Sequence, residues 1–256
     1  MQSILLDPLL LSFSPIQLSE LSSNLKLMNR VDTKYLTTEA HLLKLLPLLI
    51  STYNIQEVSK VRNSRYKTLY FDTKDLSMYF MHHNNKGIRY KIRIREYEES
   101  NSKFFEIKKK DRQKRTSKQR IQIEDYNIYD NIEVIQFLKE NVNYKINELF
   151  PVLRNRFNRI TLINKEMTER LTIDTNINFE NINNEITASI PNIVIIELKQ
   201  LINEPSYSKY LFKNKELKIY MNSISKYCTG SILTNNTLKH NAFKNKIKFL
   251  NKLSKN

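Results

Sequence analysis

Four cations alternate with isoleucine and tyrosine in residues 87–97, GIRYKIRIREY. At the two-residue period of a β-strand, Arg89, Lys91, Arg93 and Arg95 share one face, and Ile88, Tyr90, Ile92 and Ile94 share the other. Like charges two residues apart repel unless water or an anion separates them. A single strand of this kind is explained by a solvated outer face, because Lys and Arg are usually exposed. If other strands repeat the pattern, they build a cationic wall suited to phosphate. Arg binds phosphate oxygens bidentately, and Lys supplies a point charge.

The pattern does recur. Residues 28–36, MNRVDTKYL, put Arg30, Asp32 and Lys34 on one face. Residues 103–110, KFFEIKKK, put Glu106, Lys108 and Lys110 together, with Phe105 and Ile107 behind them. In 151–163, Arg154, Arg156 and Asn158 oppose Phe157, Arg159 and Thr161. In 169–179, Arg170, Thr172, Asp174 and Asn176 alternate with Leu171 and Ile173, with a break at Thr175. Residues 192–201 set Glu197 and Lys199 against Val194, Ile196 and Leu198. Short turns between such strands predict an antiparallel meander. Closing about eight strands into a barrel turns their charged faces into a polar interior. Buried unpaired cations are costly, so that interior calls for water and a polyanion.

The remaining elements must position these strands. Ser14, Pro15 and Gln17 read as a helix start, with Ser at the N-cap, Pro at N1 and a capping box, and the helix is expected to run to Leu27. Further helices are expected over 40–52 (bent or interrupted at Pro47), 75–85, 128–142 and 206–217, with a short one within 220–233. Residues 65–72 read as a strand, and 119–125 as a third meander strand after a basic loop at 111–118. The tail 234–256 reads as a frayed basic helix or disorder. The expected organisation is a helical segment at 1–27, a tunnel domain at 28–233 and a basic tail. The class is α+β, a cationic antiparallel tunnel with helices outside.

Composition narrows the chemistry. The 256 residues carry a net charge of +16, which implies an anionic partner. The tail from Thr234 holds six Lys and no acid, whereas none of the 13 Arg lies beyond Arg170. Two Gly exclude a P-loop or a Rossmann fingerprint. One Cys excludes a disulfide framework and a cysteine-rich zinc site. The four His show no metal-ligand spacing. No apolar run reaches the roughly 18 residues needed to span a bilayer, and residues 1–13 make a poor signal peptide. A cytoplasmic location is expected, with the tail available to an anionic surface such as the inner face of the membrane.

In their order and spacing, RVDTKYL, YFDT, the GxxxKIRIREY strand, FFEIKKK, PVLRNRFNR, RLTIDT, IIELK and SKY resemble the VTC-type polyphosphate polymerase domain. That domain belongs to the CYTH-like triphosphate tunnel superfamily. The resemblance spans 28–230 and implies an enzyme that moves the γ-phosphate of ATP onto inorganic polyphosphate with Mn2+ or Mg2+, in a stand-alone bacterial-style version. It assigns Lys34, Arg93, Arg95, Lys108, Arg159, Arg170 and Lys226 as tunnel cations, and Glu197 as the metal ligand. Lys91, Lys199, Ser225 and either Lys114 or Lys118 join them as phosphate contacts. Triphosphate carries about four negative charges, and phosphoryl transfer needs mainly positioning and charge stabilisation. A phosphate acceptor is already an anion, so no general base is required.

Plainer readings stand beside these assignments. Lys34, Arg170 and Lys199 also suit ordinary strand surfaces, Lys226 a helix cap, and Asp72 and Asp174 structural acids beside turns. Glu106–Lys108 and Glu197–Lys199 also read as same-face ion pairs of small worth. Tyr35, Tyr70 and Phe105 suit the core. The nearest alternative activity is a triphosphatase of the same superfamily, acting on tripolyphosphate, thiamine triphosphate or RNA 5′ ends. Those enzymes typically open with ExExK, where this chain has Arg30, Asp32 and Lys34, and fewer acids weaken metal-activated water chemistry. The other alternative is a non-catalytic binder of polyphosphate or nucleic acid. Against nucleic acid, and DNA in particular, the aromatics are not expected to interleave with the cations on one face.

Overall fold

The computed structural model describes residues 2–20, 30–113, 115–202 and 204–255. Helix α1 (Gln2–Leu11) leads into a short strand, β1 (Ser14–Gln17). Next come β2 (Arg30–Thr38), α2 (Glu39–Leu49), β3 (Tyr53–Glu57), β4 (Ser64–Asp72) and α3 (Ser77–His83). The meander β5 (Arg89–Tyr97), β6 (Ser102–Lys110) and β7 (Thr116–Ile123) is followed by α4 (Ile132–Asn141). Strands β8 (Phe150–Asn164), β9 (Glu169–Asn181), β10 (Thr187–Ser189) and β11 (Ile193–Leu201) follow. Then come α5 (Tyr207–Phe212), β12 (Tyr220–Met221), α6 (Lys226–Leu233) and α7 (Lys244–Leu253).

The twelve strands among the described residues join one sheet, with the path β12-β2-β11-β9-β8-β4-β5-β6-β7. Eight of them are long, matching the expected number, and the four additions β1, β3, β10 and β12 are short. Pairing is antiparallel except for β1 with β3. The sheet curls on itself. Lys108 on β6 and Glu197 on β11, five strands apart on the path, lie close enough for Glu197 to favour the charged ammonium.

The outer face carries two apolar layers. Helices α1, α2 and α5 cover one half, where Leu42, Leu45 and Leu46 meet Ile160, Leu171, Ile173 and Val194. Helix α4 covers the meander, where Val134 and Leu138 meet Ile92, Ile94, Phe105 and Ile107. The inner face changes character along the strands. On β2, Leu36 gives way to Lys34 and Asp32; on β11, Ile193 and Ile195 give way to Glu197 and Lys199. The apolar part of the inner face packs against α6, α7 and Tyr79 of α3.

A bulge makes this division possible on β9. Arg156 pairs with Asn178, but Asn158 pairs with Thr175, so one residue of β8 opposes two of β9. Asn176 takes the left-handed conformation there, at φ 48°. The inner parity shifts from Arg170, Thr172 and Asp174 to Ile177 and Phe179. The alternation break at Thr175 is the trace of this bulge in the sequence.

Several expectations are corrected. Ser14 to Gln17 form a strand rather than a helix start, because Ile16 is buried and the segment pairs with Asn54 to Glu57 of β3. Pro15 has no N–H to donate, which an edge strand tolerates. The rest of the proposed 14–27 helix, beyond Glu20, lies outside the described residues. Lys118 belongs to β7, not to the basic loop, because β7 begins two residues earlier, at Thr116. The expected helix at 206–217 ends at Phe212, with a 3-10 turn over Lys215–Leu217. The tail is neither frayed nor disordered: α7 buries Leu250 and Leu253 against the cluster that holds α6.

Helix α6 is fixed at two points. Tyr227 donates from its hydroxyl to Asp72 at 2.5 Å, and the same carboxylate accepts from the backbone N–H of Met78 and Tyr79 at the start of α3. Asp72 is thus a structural acid, as one reading allowed. At Gly230 a Cβ would come 2.4 Å from Phe179 and 2.7 Å from Leu153, both buried. Gly230→Ala is therefore expected to lower stability by about 1–3 kcal/mol, the usual cost of overpacking. Chemical denaturation checks this.

Candidate functional site

The charged part of the inner face is assembled from β2, β5, β6, β7, β8, β9, β11 and the start of α6. Its unit is a carboxylate held by two cations. Arg159 donates to Asp174 from Nε at 2.6 Å and from a terminal nitrogen at 2.8 Å, and Lys226 also pairs with Asp174. Arg93 donates to Glu106 from Nε at 2.8 Å and Nη2 at 2.6 Å, and Lys118 shares that carboxylate. Lys199 pairs with Glu197 and with Asp32 at 2.6 Å, and Lys34 lies 3.6 Å from Glu197. Asp174 is therefore no turn-side acid. It sits mid-strand opposite Arg159 and bridges β8 to α6.

These groups are desolvated: Arg93 is 6%, Arg95 8%, Glu106 0% and Asp174 3% exposed. Burial alone would neutralise the acids, but Arg159 and Lys226 hold the Asp174 pKa down to about 2. Arg93, Arg95 and Lys118 hold Glu106 well below the carboxylate range in the same way. Lys34, Lys199 and Lys108 do so for Glu197. On the cationic side, burial brings Lys91, Lys118 and Lys226 to about 8. Burial, and then Arg93, push Lys108 well below its ordinary value.

The cations outnumber the carboxylates available to them. Among the described residues Lys108 makes no ion pair or hydrogen bond. Nε of Arg95 is buried without an acceptor, and its guanidinium faces Tyr66 and Phe157 at 5.7 and 5.9 Å. Among the described residues Lys91 reaches only the Ser225 hydroxyl, at 3.2 Å, while that hydroxyl also caps α6 through the N–H of Cys228. The structure thus brings Lys34, Lys91, Arg93, Arg95, Lys108, Arg159, Glu197, Lys199, Ser225 and Lys226 to one lumen, together with Lys118, one of the two basic candidates expected at 111–118. Arg170 pairs in register with Lys199. Lys114 lies outside the described residues.

Two features were missed from the sequence. The acids Glu106 and Asp174 organise the lining, and only their in-face position beside Arg signalled it. Aromatic rings also share the cationic face: Tyr97 follows Arg95 by two residues, and Tyr66 and Phe157 pair directly across from one another. The expectation of no interleaving is corrected: Tyr97 stands two residues from Arg95 and Phe157 two from Arg159, so strand parity puts these rings on the cationic face. Tyr35, Tyr70 and Phe105 are core residues, as expected.

A curled antiparallel sheet with such a lining defines a cationic tunnel protein. Residues 29–235 match the VTC domain, and the chain belongs to that family. No curated protein matches the chain. Among solved structures, it is similar to a candidate adenylate cyclase from Bacillus halodurans. The two are 15% identical over 77% of this chain and 96% of that one, with a TM-score of 0.50. It is also similar to a candidate adenylyl cyclase from Hippeastrum with a dominant triphosphatase activity. There the identity is 15%, over 83% of this chain and 98% of that one, with a TM-score of 0.48. At such identities the likeness concerns the fold alone. No helix among the described residues is long and apolar enough to cross a membrane.

The lysine shifts carry a pH dependence. Lys91, Lys118 and Lys226 release protons near pH 8 in the folded protein, against an ordinary value of 10.5. From about pH 8 to 10 the unfolded chain holds more of these protons, so the empty protein gains stability as pH rises. A bound polyanion raises the same pKa values. Tripolyphosphate is therefore expected to bind with proton uptake near pH 8.5, and more weakly as pH rises further. Calorimetry in buffers of different ionisation enthalpy checks the uptake, and thermal melts at pH 7 and 9 check the opposite trend in stability.

Proposed function

We propose that this protein transfers the γ-phosphate of ATP to a growing inorganic polyphosphate chain inside the tunnel. The observation that supports this best is a lumen with excess buried cations whose carboxylates are all committed to ion pairs. Acids held so far below neutrality are poor bases, which disfavours proton abstraction from water. A phosphate acceptor has no proton to lose. In this reading Arg93, Arg95, Lys108, Arg159 and Lys226 stabilise charge on the transferred phosphoryl group. Lys34, Lys91, Lys118, Arg170, Lys199 and Ser225 hold the flanking phosphates.

The donor set also fits a divalent ion. Among the described residues no group of three His, Cys, Asp or Glu side chains gathers as a metal site. Mg2+ and Mn2+ commonly need only one or two carboxylates when phosphates supply the rest. Glu197 offers a hard oxygen there, with Asp32 linked to it through Lys199. An ion of this type, held by Glu197, would neutralise charge developing on the phosphates. The same Asp32–Glu197 proximity favours a second reading, a triphosphatase in which two acids serve water attack.

The test is incubation of purified protein with ATP and Mn2+, scored for polyphosphate and for orthophosphate. Polymer is expected, and its loss by roughly 100-fold or more in Arg93→Ala and Glu197→Ala, the scale for removing a charge-stabilising donor. Orthophosphate without polymer would support the triphosphatase instead. Lys108→Met separates chemistry from folding. It removes a cation that burial disfavours, so the empty variant should melt no lower than wild type while polymer synthesis falls by a similar factor.

A further inference from the structure

The row of side chains beyond Arg95 is aromatic and crosses three adjacent strands. Phe157 on β8 pairs with Tyr66 on β4, and Tyr66 with Tyr97 on β5. Phe104 on β6 lies one row back, directly opposite Arg95. Tyr66 stacks on Phe157 with centroids 5.3 Å apart. Tyr97 meets Tyr66 edge-on at 5.0 Å and Phe104 edge-on at 5.7 Å.

The four rings differ in what they already hold. Arg159 lies over Tyr66 at 5.0 Å and over Phe157 at 5.2 Å, and Lys226 lies over Phe157 at 4.2 Å, so both rings back the phosphate-facing cations. Tyr97 has no parallel ring and no cation over it among the described residues. Phe104 carries Arg120 over one face at 4.4 Å, and Arg120 also donates to the Tyr97 hydroxyl at 3.5 Å. Arg120 is solvent-exposed, and Tyr97 and Phe104 are half-buried. These two rings therefore stand where the charged lumen opens beside the β5–β6 turn. Nothing in the phosphate chemistry uses them, and their edge-on contacts leave Tyr97 with no ring stacked on its face among the described residues.

We propose that Tyr97 and Phe104, with Arg120 above them, form a nucleobase platform that holds the base of the donor nucleoside triphosphate. The inference rests on the nucleotide-donor reading above and adds an orientation to it. Successive inward residues on a strand are about 7 Å apart, so Arg95 lies one step from Tyr97 and Arg93 two steps. The base rests at the turn, the α-phosphate follows toward Arg95, and the terminal phosphate points inward to Arg93, Lys108 and Lys226. Every base has a stackable face, so the platform selects nucleoside triphosphates over inorganic ones rather than one base over another.

The experiment compares ATP with tripolyphosphate in direct binding, without turnover, for wild type, Tyr97→Ala and Phe104→Leu. Replacing a ring that stacks on a base is expected to weaken ATP by about 5- to 100-fold, with tripolyphosphate changed less than about twofold. Saturation-transfer NMR on wild type should show the adenine protons close to the protein. Equal losses for both ligands, unchanged ATP affinity in both variants, or adenine protons without transfer would each overturn the platform. Should Tyr97→Ala fail to fold, Phe104→Leu and the wild-type spectra still decide. The polymerase reading fails separately. A protein that makes no polymer yet discriminates ATP through these rings keeps the platform, and one that makes polymer with base-independent affinity loses it.

Discussion

Like charges held close together out of water are the constraint on which this structure depends. Two unit charges 4 Å apart interact by about 4 kcal/mol at the effective dielectric of a protein site. The inner face gathers Arg93, Arg95, Lys108, Lys118, Arg159 and Lys226 within one lumen. A fold with no counter-charge there would be pushed open. Glu106 and Asp174 prevent this by each serving two cations from different elements. Asp174 in particular ties the strand partner of Arg159 to the helix that carries Lys226, so the same contact neutralises the lining and anchors α6.

The compensation is incomplete in a way that matters for ligand binding. Lys108 and Arg95 keep unmet electrostatic demand, and three lysines sit near the point of losing their protons. On the proposed function, an anion entering the lumen would relieve the repulsion among these cations. Part of the binding energy is in this sense stored beforehand, as desolvation of cations already in position. The apolar layers outside the sheet and the packed end inside it hold those cations in place against their repulsion.

Much of this was legible in the sequence. A strict period of two from Arg89 to Arg95 and from Glu106 to Lys110 assigns each side chain to a face, and the structure keeps every one of those assignments. The break at Thr175 marks the place of the β9 bulge, which only the pairing with β8 reveals. What the sequence concealed depends on partners distant along the chain. Ser14 and Pro15 mimic a helix cap, but the parallel pairing with β3 and the burial of Ile16 prevail over that local signal. Asp174 looks like any strand acid until the sheet sets it between Arg159 and Lys226. The lysine-rich tail looks disordered until Tyr79, Phe243 and α6 give Leu250 and Leu253 something to cover.

The pairing of β2 with β11 has a consequence for how the protein is made. Asp32 and Lys199, joined across these strands, are 167 residues apart in the chain. During synthesis β2 emerges early and its central partner arrives late, since β12 is later still. Until then β2 presents unpaired backbone groups, the kind of edge that recruits other chains into aggregates. Contacts at such separation also slow folding, because the intervening loop must close before any pairing compensates for it. The charged residues on β2 then act twice: Asp32 and Lys34 serve the finished lumen, and beforehand they make the waiting edge a poor template for self-association.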